Sequence, residues 1–194
     1  MRLSNLETGQ RAPAKFFMLM ASKASGAELA DVVKTFLYRP EFFGRAISKL
    51  SAETMRGPSF WTDGEREYIA LCTAKLYKIQ YCVDIHTEMV RIASAGEIDA
   101  ADPGSARPEF AAVLAFLEKV TCSHDSVSGS DLTELRERGV PDQAVVEALH
   151  VAFVWNVVDR LAHAFDYRLQ EGQLKKGTQA LHQFKYRLPG FTLR

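Results

Sequence analysis

Apolar residues recur at helical spacing along almost the whole chain. Leu29, Val32, Val33, Phe36 and Leu37 follow the i, i+3, i+4 rule and predict an amphipathic helix that Pro40 stops. Phe42, Phe43, Ala46, Ile47 and Leu50 predict a second helix, with Pro40 in its first turn, Gly57-Pro58 at its end and all five side chains inward. Upstream, Pro13 opens a short helix carrying Phe16, Phe17 and Leu19, with Gly26 as its break. Downstream, Glu97–Pro108 reads as a linker, with two prolines and Gly104. Phe110, Val113, Leu114, Leu117 and Val120 then give another helical stripe. Ser128 or Ser130 supplies an N-cap for a short helix that Gly139 closes. From Asp142 to Leu169 a long helix is apolar nearly all round, the sign of a helix that others pack against. The segment from Glu171, with Leu174, Leu181, Phe184 and Tyr186, suggests a last helix. No run of period two appears, so no sheet is expected. The pattern predicts an all-α, single-domain bundle of seven to eight helices: an N-terminal arm over 1–26, a helical core over 27–170 and a C-terminal tail over 171–194.

The stretch Thr62–Gly96 concentrates the chemistry. Thr62 followed by Glu65 is a capping-box signature for a helix that begins there. That helix carries Glu67, and the same unit holds Cys82 and His86, four residues apart and therefore stacked on one helical face. A thiol, an adjacent base and a carboxylate to orient or feed the base are the parts of an activated cysteine nucleophile. A chain break near Lys78–Gln80 would put Cys82 in the first turn of a second helix, where the positive end of the dipole favours a thiolate. No Gly or Pro marks such a break, so one continuous helix from Thr62 to Ala95 is the other reading. Cysteine is also among the most buried residue types, and a thiol on a helix face can be inert core. Cys72, beside Ile69 and Leu76, reads as core. Cys122 lies at a helix end beside His124.

Charge and composition narrow the partners. Among 194 residues, 24 basic and 24 acidic side chains cancel, which argues against a nucleic-acid or anionic-membrane surface. Three cysteines at irregular spacing do not form a disulfide framework, and a reducing cytoplasm is expected. Phe16–Met20 is too short for a signal sequence, and Val151–Val158 is too short to span a membrane. Cys82 and His86 alone supply two of the ligands zinc wants, so no metal and no cofactor is expected. Phosphate-binding glycine loops and nucleophile elbows are missing.

The long C-terminal helix carries a second polar group. Asn156, Arg160 and His163 share a face, Asp159 and His163 form an i, i+4 acid–base pair, and His150 sits in the most apolar part. A hydrogen-bonded network tying helices together is one role for them. Lining a pocket, with His150 or Asn156 as binding residues, is the other.

Glu67, fourteen residues, Cys82, three residues and His86, with Tyr81 and Thr87 alongside, resembles the alkylhydroperoxidase D-like, carboxymuconolactone decarboxylase family, in its peroxidase-related branch. The likeness extends over most of Pro40–Phe165. It implies a helical fold assembled as trimers or hexamers. It also implies thiol-dependent reduction of alkyl hydroperoxides by a Cys-x-x-Cys pair with a Glu/His proton relay. Carried over, Cys82 is the peroxide-attacking thiol, Glu67 the carboxylate, His86 the relay imidazole and Tyr81 a neighbouring binding residue. The first cysteine of the pair is absent, because that position holds Ile79. A sulfenic acid on Cys82 would then need an external thiol reductant or one of the more distant cysteines. The family's other branch, cofactor-free lactone decarboxylases, works by acid–base proton transfer and needs no cysteine pair. A non-catalytic helical oligomer that binds a small ligand or partner protein is the third reading.

Overall fold

Thr62 starts the central helix as its sequence predicts. Its hydroxyl accepts from the Glu65 N–H at 3.2 Å, and the Glu65 carboxylate accepts from the Thr62 N–H at 2.9 Å. Glu65 does a second job: its carboxylate takes a bidentate grip from Arg107 at 2.7 and 3.1 Å, fixing the chain where the next long helix begins. The molecule around this helix is a computed structural model that describes residues 1–102 and 107–194. Among those residues there are ten α-helices and no strand. Part of the linker read at Glu97–Pro108, residues 103–106, lies outside the described residues.

The helices are α1 (Asn5–Thr8), α2 (Ala12–Ser25), α3 (Asp31–Tyr38), α4 (Arg45–Arg56), α5 (Asp63–Tyr77), α6 (Gln80–Ala93), α7 (Pro108–Cys122), α8 (Gly129–Glu137), α9 (Asp142–Phe165) and α10 (Gln173–Gln183). The count exceeds the expected seven or eight because α1 is a single turn and the Thr62–Gly96 unit divides in two. α5 ends at Tyr77, Lys78 turns left-handed at φ 56°, and α6 begins after Ile79. A left-handed C-cap is ordinarily glycine; here lysine takes it, so sequence alone left a continuous helix open.

The helix predicted from Pro40 needs a correction. Pro40–Gly44 forms a π-turn before α4, and the wider turn rotates the face that follows. Ile47, Ser48, Ser51, Ala52 and Met55 face inward, whereas Phe42 is 81% exposed and Ala46 and Leu50 are also exposed. Gly44 is required there, since a Cβ would stand 1.7 Å from the Phe36 carbonyl oxygen of α3.

The main core joins α4, α5, α7 and α9 around Met55, Trp61, Tyr68, Phe110, Val151 and Trp155. Trp61 is fully enclosed and donates its indole N–H to the Ala144 carbonyl at 2.7 Å, tying the start of α5 to α9. Each enclosed Leu, Ile or Met contributes about 1.5–3 kcal/mol by leaving water. A second cluster, Ala74, Ile79, Tyr81, Cys82, Ile85, Met89, Ala162 and Tyr167, fills the space between α5, α6 and the end of α9. The N-terminal segment is docked on the bundle: Leu6 and Ala14 are buried, and the Arg2 N–H donates to Phe165 at 2.9 Å. The tail is docked as well, and Thr192 and Leu193 are buried.

Candidate functional site

Four elements and the tail converge on Glu67. α5 places its carboxylate at zero exposure. α6 sends His86, whose Nδ1 lies 2.9 Å from Glu67 Oε2. α4 sends Arg56, whose guanidinium pairs with Glu67 Oε1. Beyond α10, the Tyr186 hydroxyl donates to both carboxylate oxygens at 2.9 Å. α9 sends Trp155, set edge-on to the His86 ring at 4.2 Å, with its indole N–H 3.1 Å from Met55 Sδ. Arg56 also stacks over the Tyr186 ring at 4.9 Å.

A buried carboxylate surrounded by three donors stays ionised. Burial pushes Glu67 upward, but the hydrogen bond from His86 and the Arg56 charge outweigh it and hold the group below the usual carboxylate range. An ionised Glu67 accepts, so His86 Nδ1 carries a proton and donates it to the carboxylate. The network therefore fixes the orientation of the ring. Burial and the Glu67 charge raise the Tyr186 hydroxyl well above its ordinary value, keeping it a donor.

Cys82 lies one turn before His86, in the first turn of α6, as the chain-break reading expected. The thiol is not free in a positive field, however. It is 3% exposed, and burial together with the Asp159 carboxyl raises its pKa far above the usual thiol value. Asp159 comes from α9 and is wholly enclosed. Among the described residues no hydrogen bond reaches either of its oxygens, and burial raises it to about 6 against the opposing pull of the Cys82 thiol and His86. A pocket of about 220 Å³ lies against Asp159; Tyr77, Ile79, Asp159, Arg160 and His163 line it. Ile79, standing where the resembling family has its first cysteine, is part of the pocket wall.

The structure thus gathers Glu67, His86 and Cys82 into one region between α5, α6 and α9. Among the described residues no hydrogen bond joins Cys82 to His86. Tyr81 turns its ring onto Tyr167, with centroids 5.5 Å apart, inside the cluster that surrounds Cys82. Asn156 accepts from the Tyr77 hydroxyl at 2.6 Å and donates to the Ala152 carbonyl at 2.8 Å, so it braces the pocket wall instead of lining the pocket. His150 is exposed on α9 and is not brought to this group. Cys72 is partly buried on α5, and Cys122 is exposed at the end of α7.

Sequence reasoning missed Arg56, Trp155 and Tyr186, and it paired Asp159 with His163, with which Asp159 forms no ion pair among the described residues. One signal was available. Ala148, Ala152, Trp155, Asp159 and Ala162 recur at spacings of three and four, so Asp159 is a charge placed on the buried stripe of α9. Among the described residues no group of three or more His, Cys, Asp or Glu is arranged to hold a metal ion, and no helix is long and apolar enough to cross a membrane.

No family model and no curated protein sequence matches the chain. Solved structures do resemble it. An uncharacterized peroxidase-related protein from Silicibacter sp. TM1040 superposes with a TM-score of 0.69 at 21% identity, over 86% of this chain and 89% of that one. The alkylhydroperoxidase AhpD core of an uncharacterized peroxidase-related protein from Ralstonia eutropha JMP134 gives 0.70 at 21% identity, over 95% and 94%. At this identity the likeness establishes the fold: an all-α, alkylhydroperoxidase D-like bundle.

Proposed function

We propose that this chain is a peroxidase-related oxidoreductase that reduces small organic hydroperoxides through one cysteine, Cys82. The observation that supports it is the placement of Cys82 one turn from an imidazole held by a buried, triply hydrogen-bonded carboxylate. Attack by Cys82 Sγ on the terminal peroxide oxygen forms an S–O bond and breaks the O–O bond, leaving a sulfenic acid and releasing an alcohol. His86, with its Nδ1–H anchored on Glu67, belongs to the proton relay. Two equivalents of an external thiol return the sulfenic acid to the thiol, forming a disulfide and water. Ile79 gives no local partner, and neither Cys72 nor Cys122 lies in the cluster around Cys82. Homo-oligomeric assembly belongs to the same reading, and sedimentation velocity tests it.

The test is hydroperoxide consumption with a small thiol as reductant, together with intact mass after a brief peroxide pulse. One added oxygen on Cys82 and loss of turnover in Cys82→Ala are expected. Full turnover in Cys82→Ala overturns the reading.

A second reading draws on a specific observation: Cys82 is buried, which pushes its thiol far above the usual value, while the carboxylate–imidazole pair Glu67–His86 is hydrogen-bonded one turn away. A cofactor-free proton-transfer enzyme acting on a lactone-type acid would use His86 and Glu67 and leave Cys82 a bystander. It predicts a mild Cys82→Ala and a severe His86→Ala.

A further inference from the structure

Asp159 is a buried ionisable group whose position the relay does not explain. A wholly buried carboxyl that no hydrogen bond among the described residues reaches is costly, and folded proteins retain few such groups. Two features point to its use. It forms part of the lining of a pocket large enough for a small molecule, and the Cys82 thiol and His86 are the groups of α6 that act on it. Glu67, by contrast, is saturated by Arg56, His86 and Tyr186 and has no oxygen left for a reacting proton.

We propose that Asp159 is the acceptor of the Cys82 thiol proton and the group that hands it to the departing oxygen of a hydroperoxide held in the Tyr77–Ile79–Arg160 pocket. The proposal rests on the peroxidase reading for its second half. The balance is closed: Sγ gains the terminal peroxide oxygen, the O–O bond breaks, and the proton leaves sulfur for Asp159 and then leaves Asp159 for the alkoxide. Sulfur is oxidised by two electrons and the peroxide is reduced by two. Asp159 ends the oxidation step as it began.

The titratable groups around Asp159 are Cys82 and His86 from α6, Tyr77 from α5, and Arg160 and His163 from its own helix. Burial holds the carboxyl at about 6, so it is ionised at neutral pH yet basic enough to take a proton. Its charge also disfavours the thiolate. Asp159 therefore keeps the thiol protonated at rest and takes its proton only as sulfur attacks.

That double role gives two effects of opposite sign, which a merely structural residue would not. In a Cys72→Ser, Cys122→Ser background, the rate of Cys82 methylthiolation by methyl methanethiosulfonate is followed from pH 5 to 10, beside oxidation by cumene hydroperoxide read by intact mass. The wild-type alkaline limb should be preceded by a step near pH 6. Asp159→Asn should abolish that step, slow peroxide oxidation at pH 7 at least tenfold and speed thiol modification at pH 9–10. Asp159→Glu should restore part of the neutral peroxide rate. A parallel rise of both rates in Asp159→Asn overturns the proposal, since the carboxylate would then only suppress the thiol. So does a step that persists in Asp159→Asn, or a Cys82 inert to the small reagent at every pH. If the step is present and lost in Asp159→Asn but peroxide leaves no added oxygen on the wild type, the acceptor role stands and the peroxidase reading fails. Should Asp159→Asn not fold, by circular dichroism, the wild-type step and the Asp159→Glu rates decide alone.

Discussion

Arg56 and Glu67 illustrate how unequal the terms in a buried ion pair are. Replacing such a pair together can be nearly neutral, but removing one partner strands the other in the core at about 3–5 kcal/mol. Urea unfolding of Arg56→Ala should therefore show a loss in that range, although Arg56 does not reach Cys82. Glu67 is held below its ordinary value, so the stability it contributes is present above the unfolded-chain value and disappears as pH falls through the folded one. Asp159 has the opposite sign. Its folded form keeps a proton that the unfolded chain releases between 3.8 and about 6, so its unfavourable contribution grows as pH rises through that window and is constant above it. Asp159→Asn should accordingly stabilise the fold by about 1–3 kcal/mol at pH 7 and by little near pH 4, as read from denaturation midpoints at the two pH values. A site residue whose removal stabilises the protein is the expected mark of a group retained for chemistry.

At the scale of elements, the break between α5 and α6 matters most. Lys78 adopts φ 56° without a glycine, at a cost of about 1 kcal/mol; Lys78→Gly should recover up to that amount in thermal or urea unfolding. The break makes Ile79 the N-cap of α6 and Cys82 a first-turn residue. That spacing suits a local disulfide, so Ile79→Cys should react after a hydroperoxide pulse with loss of two hydrogens instead of gain of one oxygen. A stable sulfenic acid in Ile79→Cys would show that the two sulfurs cannot meet. The capping box at Thr62, the stripe of α7 and the apolar breadth of α9 were all legible from periodicity, because each is a local rule. The π-turn at Pro40–Gly44 was not. It brings Gly44 against the Phe36 carbonyl, a close backbone approach that apolar periodicity does not encode. Glu67, Cys82 and His86 were legible by spacing and type; Arg56, Trp155 and Tyr186 enter from separate elements and show only once the helices are packed.

The whole molecule closes the site from both flanks of the sequence-defined core. Lys185 and Tyr186 are both left-handed, at φ 50° and 61°, a costly turn that delivers the Tyr186 hydroxyl to Glu67. Tyr186→Phe should remove about 1–2 kcal/mol of stability, a hydrogen bond to a charged group, and should lower the neutral peroxide rate less than Asp159→Asn does. Equal losses would mean that the tail, and not α9, governs the proton. The segment read as a C-terminal tail is thus part of the Glu67 network. The separation of 119 positions between Glu67 and Tyr186 also orders events during synthesis. α4, α5 and α6 leave the ribosome long before residue 186 does, so Glu67 can meet Arg56 and His86 while its last donor is still being made. α9, with Asp159, also emerges later. A ribosome-bound chain halted after α6 would carry the thiol without either its proton acceptor or the finished carboxylate network. The surroundings of Cys82 are therefore assembled late, well after the sulfur itself has been made.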